Sequence, residues 1–238
     1  MKVVITGTSS GLGQALWDVF ERGTPNLVIG STHYREHVDE DQYYLDLRDS
    51  ESIRQFADQV QRRWDKIDVL INNAGVNCIA PFMQQSPEFL RDMMQVNCFG
   101  PIQLIQDLFP VLAPNGRIVN VISDASWRPM RHSLAYNCSK AAFAMATKQM
   151  ARELTKPCGL GIIGVNPGKM SGTHMSKFID EQVCTLRGWT PEQAREYAEA
   201  NSVTGRELPP LMVAKLIEAI VVNKVPHYAS GAIMDLAG

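Results

Sequence analysis

The chain has 238 residues, of which 45% are hydrophobic and 20% charged, with a formal net charge of −2. That length and composition fit one large domain with a substantial core and exclude a disordered chain. The charge balance leaves no nucleic-acid or anionic-membrane footprint, and the most apolar stretch, Leu211 to Val222, is interrupted by Lys215 and Glu218, so no bilayer span is expected.

Lys2 to Thr6 is a short β-branched apolar run, the pattern of a buried parallel strand. It leads directly into Gly7-Thr8-Ser9-Ser10-Gly11-Leu12-Gly13. From Gln14 to Arg22, apolar residues at Leu16, Val19 and Phe20 follow a helical period. Strand, glycine-rich turn and helix together predict a dinucleotide site. Glycines let the backbone approach a pyrophosphate, and a helix N-terminus offers N–H groups and a positive dipole end. The spacing is G-x-x-x-G-x-G rather than the commoner G-x-G-x-x-G.

Asn26 to Gly30 reads as the second strand. At its end stand Ser31, Thr32, His33 and then Arg35. An acid there would bind the ribose hydroxyl of NAD, whereas an arginine would accept the extra phosphate of NADP. The absence of an acid favours NADP(H), with NAD(H) the other choice. Little room precedes a third strand at Gln42 to Leu45, so only a turn or two of helix fits between them.

Ser50 is the expected N-cap of a helix over Glu51 to Trp64 that buries Ile53, Phe56, Ala57 and Val60. Asp68 to Ile71 is a fourth strand, ending in Asn72-Asn73-Ala74-Gly75, at the carboxyl end where open α/β sheets bind ligands. Two helices, Phe89 to Phe99 and Pro101 to Leu112, are expected to be separated by a break at Gly100-Pro101. Asn97 is a poor helix former inside the first and is a candidate to distort it. Arg117 to Ile122 forms the fifth strand, with Ser123 at its end.

A long helix, Ala135 to Leu154, carries Tyr136 and Lys140. At i and i+4 they share one face, where an ammonium lowers the pKa of a neighbouring phenol and lets it exchange a proton near neutral pH. Ser123 offers a hydroxyl for the oxygen that gains or loses that proton. Leu160 to Val165 is a sixth strand, closing in Asn166-Pro167-Gly168. Residues 169–209 read as a substrate lid, with one helix at Pro191 to Ala200 among polar loops. A helix over Pro210 to Val222 and a strand over Ala232 to Met234 complete the chain. The alternation predicts a single α/β domain over residues 1–238, a doubly wound, Rossmann-type, mostly parallel sheet of about seven strands with helices on both faces. Trp127, Arg128, Arg131 and His132 are expected in the pocket wall, where they would suit an anionic or aromatic substrate. Met170, Met175, Phe178 and Trp189 are candidates for an apolar lining. The five cysteines form no C-x-x-C pair and suggest reduced thiols in a cytoplasmic protein, and the opening apolar run is too short for a secretory signal.

Thr6-Gly7-x3-Gly11-x-Gly13, Asp46-Leu47, Asn72-Asn73-Ala74-Gly75, Asn97, Ser123, Tyr136-x3-Lys140 and Pro167-Gly168 stand in the order of the short-chain dehydrogenase/reductase superfamily, which this chain resembles over essentially its whole length. The resemblance implies hydride transfer between a nicotinamide cofactor and a carbonyl or alcohol. Tyr136 would be the general acid/base, and Lys140 would tune it and hold the nicotinamide ribose. Ser123 would orient the substrate oxygen, and Asn97 would hold a water that links Lys140 to solvent. Gly7, Ser9, Ser10, Gly11, Leu12 and Gly13 would cradle the pyrophosphate, and Asp46 and Leu47 would meet the adenine. Asn73, Ala74 and Gly75 would border the adenosine ribose, and Pro167 and Gly168 would frame the nicotinamide. Where the family carries a threonine for the nicotinamide amide this chain has Gly172, with Thr173 adjacent. The resemblance also implies a homodimer or homotetramer built on the helices at Pro101 to Leu112 and Tyr136 to Leu154. A nucleotide-binding regulator with little turnover is the alternative on the same scaffold.

Overall fold

Alternation along each strand assigns the two faces of the sheet. The computed structural model describes residues 1–23 and 27–236. Its strands are β1 (Lys2–Ile5), β2 (Leu27–Thr32), β3 (Gln42–Tyr44), β4 (Ile67–Asn72), β5 (Leu112–Val121), β6 (Gly161–Pro167) and β7 (Ile233–Leu236). They lie in the order β3-β2-β1-β4-β5-β6-β7, and every neighbouring pair is parallel. Val3 and Ile5 face one side with Val69, Ile71, Val119 and Val121. There they meet Leu12, Leu16 and Phe20 of α1 (Gly11–Gly23) and Val213 and Ile217 of α8 (Pro210–Val222). Val4, Leu70, Ile118 and Ile162 face the other side. They are covered by Ile53 and Phe56 of α2 (Ser50–Arg63), Leu104, Ile105 and Leu108 of α4 (Gly100–Leu108), and Ala151 of α5 (Leu134–Cys158). Both faces of a parallel sheet need such cover, and crossover helices supply it. The fold is therefore the single doubly wound sheet expected from the alternation.

The remaining helices are α3 (Pro87–Met94), α6 (His174–Arg187), α7 (Pro191–Ala200) and a short α9 (Val225–Tyr228). Four expectations change. The N-cap of α2 is Asp49, whose side chain accepts from the Glu51 N–H, and not Ser50. Gly100-Pro101 does not break the chain, because proline fits the first turn of α4. The irregularity lies one turn earlier, in a π turn at Gln95–Phe99 that holds Asn97. Leu112 begins β5 instead of ending a helix. A whole helix, α6, occupies part of the stretch expected to be polar loop, with Thr173 as N-cap and Gly188 closing it at φ 66°. Asn26, read as the first residue of β2, lies outside the described residues. Among the described residues, no helix is long and apolar enough to cross a membrane.

The strand order reverses between β1 and β4. Their carboxyl ends open a crevice at that point, which is where ligands bind in doubly wound sheets.

Candidate active site

The glycine-rich turn leaves β1 at this crevice and is pinned from both sides. Gly7 N–H donates to Ser31 Oγ at 3.0 Å, at the end of β2. Toward β4, Thr6 Oγ1 accepts from the backbone N–H groups of Asn73 and Ala74, each at 3.0 Å. Asn73 Nδ2 returns a bond to Thr6 O at 2.9 Å. Gly13 is obligatory, since a Cβ there would lie 1.8 Å from Gly7 O. The first turn of α1 carries no acidic residue, which leaves its positive end available to an anion.

A cleft of about 400 Å³ runs from this turn across the ends of β4, β5 and β6. Of the residues anticipated from the sequence, Gly7, Ser9, Ser10, Gly11, Leu12, Gly13, Ser31, Asp46, Leu47, Asn73, Ala74, Gly75, Ser123, Tyr136, Lys140, Pro167, Gly168 and Thr173 all line it. Thr32 is buried at the end of β2, and its Oγ1 accepts from Tyr34 N–H at 3.0 Å. Neither Thr32 nor Arg35 is among the lining residues. The Arg35 guanidinium lies over the Tyr44 ring, 4.0 Å from its centroid. On the β2–β3 side of the cleft the basic lining residues are His33, already noted at the end of the second strand, and Arg48, which the sequence did not single out. Arg48 is also paired with Asp92 at 2.7 Å.

At the other end, β5 delivers Ser123, and the first turns of α5 deliver Tyr136 and Lys140. All three are at least nine-tenths buried, and Lys140 Nζ lies 5.9 Å from the centroid of the Tyr136 ring. Lys140 Nζ donates to Val121 O at 3.2 Å. Burial lowers the ammonium to a pKa of about 8, although the neighbouring Cys98 works the other way. Burial also pushes the Tyr136 phenol up to about 12, against a hydrogen bond with Ser123 that lowers it. The expected depression of the phenol by the lysine is not seen: Lys140 is not among the groups that shift it, and loss of solvent dominates. The phenol holds its proton at neutral pH, and the buried lysine is poised to lose one.

Asn97 sits behind this group. Its Oδ1 accepts from Val76 N–H at 2.9 Å, and its Nδ2 donates to Val76 O at 2.9 Å and Ser139 Oγ at 3.1 Å. It therefore ties the end of β4 to α5, and a Cβ on Gly75 would come within 3.0 Å of its Oδ1. The π turn is what brings an asparagine from the α3–α4 run to this buried spot.

Of residues 169–209, those that line the cleft lie between Lys169 and Ile179. Thr173 caps α6, and its Cγ2 would lie 3.4 Å from a Cβ placed on Gly11, so the start of α6 stands against the glycine-rich turn. Lys169 Nζ bonds Asp180 Oδ1 at 2.6 Å and Glu207 Oε1 at 2.7 Å, tying both sides of this segment together. Met170 and Met175 line the cleft as expected. Phe178 is half exposed instead, and Trp189 packs on Tyr197.

The pocket wall between Ser123 and Tyr136 also differs from expectation. Trp127, Arg128, Arg131 and His132 are not among the lining residues. Trp127 Nε1 donates to Asp235 at 3.1 Å, and the Arg128 guanidinium holds Asn201 O at 3.0 Å. The lining residues on this loop are Asp124 and Met130, so the wall carries a carboxyl group in place of the anticipated cations.

Residues 1–183 match the family model for short chain dehydrogenases. The uncharacterized oxidoreductase YxbG of Bacillus subtilis is 30% identical over 206 residues, covering 81% of this chain and 74% of that protein. The 3-oxoacyl-(acyl-carrier-protein) reductase FabG of Thermotoga maritima is 27% identical, over 99% of this chain and 95% of its own. Among solved structures, a short chain dehydrogenase family protein from Francisella tularensis superposes with a TM-score of 0.89 at 22% identity, covering 99% and 96% of the two chains. L-sorbose reductase of Gluconobacter frateurii, complexed with NADPH and L-sorbose, superposes at 0.87 with 20% identity, over 100% and 95%. These structures share the fold, and the match to the family model places the chain itself in the short chain dehydrogenase family of NAD(P)-dependent oxidoreductases.

Proposed function

We propose that this protein reduces a ketone or aldehyde to an alcohol with NADPH, or runs the reverse reaction with NADP. The observation that carries this reading is convergence. Ser123, Tyr136 and Lys140 come from two separate elements to one end of the cleft whose other end is the glycine-rich turn. The turn fits a pyrophosphate, since Gly7 and Gly11 hold positive φ and Gly13 leaves no room for a side chain. In this reading the backbone of residues 7–13 holds the pyrophosphate. Asp46 and Leu47 border the adenine, Asn73 to Gly75 the adenosine ribose, and Pro167, Gly168 and Thr173 the nicotinamide. NADP(H) is favoured over NAD(H) because no acid stands at the end of β2 and His33 and Arg48 line that end.

A reduced nicotinamide supplies the hydride when bound. The chain itself manages the oxygen. Ser123 Oγ and Tyr136 Oη hold the carbonyl oxygen, and Tyr136 gives it a proton as negative charge builds. A phenol that keeps its proton well above neutral pH suits this donor role. Lys140, still largely protonated at neutral pH, stabilises the phenolate left behind. Residues 169–209 close over the substrate, and the Lys169 ion cluster sets how firmly. Half-exposed Phe99 and Phe109 and exposed Met145, on or beside α4 and α5, support assembly of two or four copies through these helices. The test is a panel of carbonyls offered with NADPH and with NADH in parallel. Turnover with NADPH supports the reading, and cofactor binding without oxidation of NADPH by any carbonyl would replace it with a binding role.

A further inference from the structure

Asp124 follows Ser123 directly and lines the same cleft. Ser123 Oγ donates to Asp124 Oδ1 at 3.1 Å and accepts the Ala125 N–H at 3.2 Å. A serine hydroxyl has a single proton. That one proton has two claimants, Asp124 and the Tyr136 phenol, and while it lies on Asp124 the serine has only a lone pair for a carbonyl oxygen, which needs a donor.

The polar surroundings show what would release it. Asn77 also lines the cleft, and its Oδ1 is buried without a hydrogen-bond partner. Its chain neighbours Val76 and Cys78 pack with Tyr136 and Ala125, so Asn77 belongs to the same end as the phenol. Asp124 and Asn77 are therefore two acceptors beside the reacting position. The other charges acting on Asp124 are Arg128, which favours its ionised form, and Asp235, which opposes it. Arg128 is held by Asn201, and Asp235 accepts from Trp127 and Asn166. Burial is the largest influence on the Asp124 carboxyl and raises its pKa, so an added donor is favourable to its charged form.

We infer that Asp124, aided by Asn77, selects substrates that carry a hydroxyl on the carbon next to the carbonyl, an α-hydroxy ketone or aldehyde in one direction and a vicinal diol in the other. The inference rests on the oxidoreductase reading and narrows it. A substrate hydroxyl donates to Asp124 and replaces the Ser123 proton there. Ser123 then turns that proton to the carbonyl oxygen, beside the proton from Tyr136. A plain ketone brings no replacement and leaves Ser123 engaged. A carboxylate or phosphate on the neighbouring carbon is repelled by Asp124. Arg128 also acts on this carboxyl, so an ammonium group on the neighbouring carbon would meet a like charge, whereas a neutral hydroxyl does not.

The experiment compares kcat/KM for matched pairs differing only in that hydroxyl, hydroxyacetone against acetone and glycolaldehyde against acetaldehyde, with pyruvate and aminoacetone as the charged arms. The wild-type protein is expected to prefer the hydroxylated member by about 10- to 100-fold, the range of a hydrogen bond to a charged acceptor. Asp124→Ala collapses that ratio toward one, whatever happens to the rates themselves. Asp124→Asn, nearly isosteric, leaves an intermediate ratio and guards against a folding defect, which NADPH binding reports separately. A purely structural effect on Ser123 would slow both members equally and leave the ratio intact. Reduction of acetone and acetaldehyde as readily as their partners, an unchanged ratio in Asp124→Ala, or preference for pyruvate or aminoacetone would each overturn the inference while the oxidoreductase reading stood. No turnover of any carbonyl would overturn both.

Discussion

Lys140 is a cation placed where burial is costly. Its pKa of about 8 lies below the ordinary 10.5, so between those values the unfolded chain binds the proton more readily than the folded one. Stability from this group therefore rises with pH across that window, and the full cost is present below about pH 8. The shift corresponds to about 3 kcal/mol at neutral pH. Lys140→Met is expected to raise Tm at pH 7 by about 6–12 °C while abolishing turnover, and calorimetry on the purified variant checks it. An unchanged or lower Tm would show that the lysine is not strained in this way. The same proton sets an activity limit. kcat/KM for carbonyl reduction should fall as pH rises through about 8, because a neutral lysine no longer supports the phenolate. That Tyr136 and Lys140 share a face was legible from their spacing, because a helix fixes where residues four apart point, and Ser123 was placed by the end of its strand; all three do line one cleft. The lining by Asp124, His33 and Arg48 was not legible. They sit beside strand ends, where no period says which side chain turns into the cleft, and Arg35, chosen from the same kind of loop, stacks on Tyr44 instead.

At the level of elements, the stretch after β6 is the part least readable in advance. Met175, Phe178, Ile179, Val183 and Leu186 follow a helical spacing, with Thr173 and Gly188 as start and stop signals, so the signal for α6 was present. Its polar residues and its place after a strand end masked it. The π turn at Asn97 was half legible. An asparagine in a helix announced distortion, but the extra residue per turn is set by its three bonds to Val76 and Ser139. The Lys169 cluster gives a test at this scale. Two carboxylates hold one ammonium that is itself half buried, and the hydrogen bonds raise its pKa against burial. Glu207→Ala is expected to raise KM for the carbonyl several-fold, with kcat and Tm little changed, as steady-state kinetics and calorimetry would show. A fall in Tm with KM unchanged would make the cluster a stability element only.

For the whole molecule, the doubly wound sheet followed from alternation of strand and helix patterns, because buried parallel strands and one-sided helices have few ways to cover each other. Strand limits moved by a residue or a few, and β5 began earlier than its apolar run, since Leu112 pairs with Ile67 before the register shifts. Phe20 is fully buried between α1 and the sheet, and Phe20→Ala is expected to cost about 3–5 kcal/mol in chemical denaturation. Light scattering should report two or four copies, and a monomer would remove the α4–α5 assembly. The central claim is that a buried phenol beside Lys140 hands a proton to a carbonyl in a nicotinamide-binding cleft. Its most direct test measures NADPH oxidation across a carbonyl panel and NADPH affinity, for the wild-type protein and Tyr136→Phe together. The account predicts turnover in the wild type, a loss of about 1000-fold or more in the variant, and affinities within about tenfold of each other. Equal turnover in both proteins, or NADPH binding with no turnover in either, would contradict it.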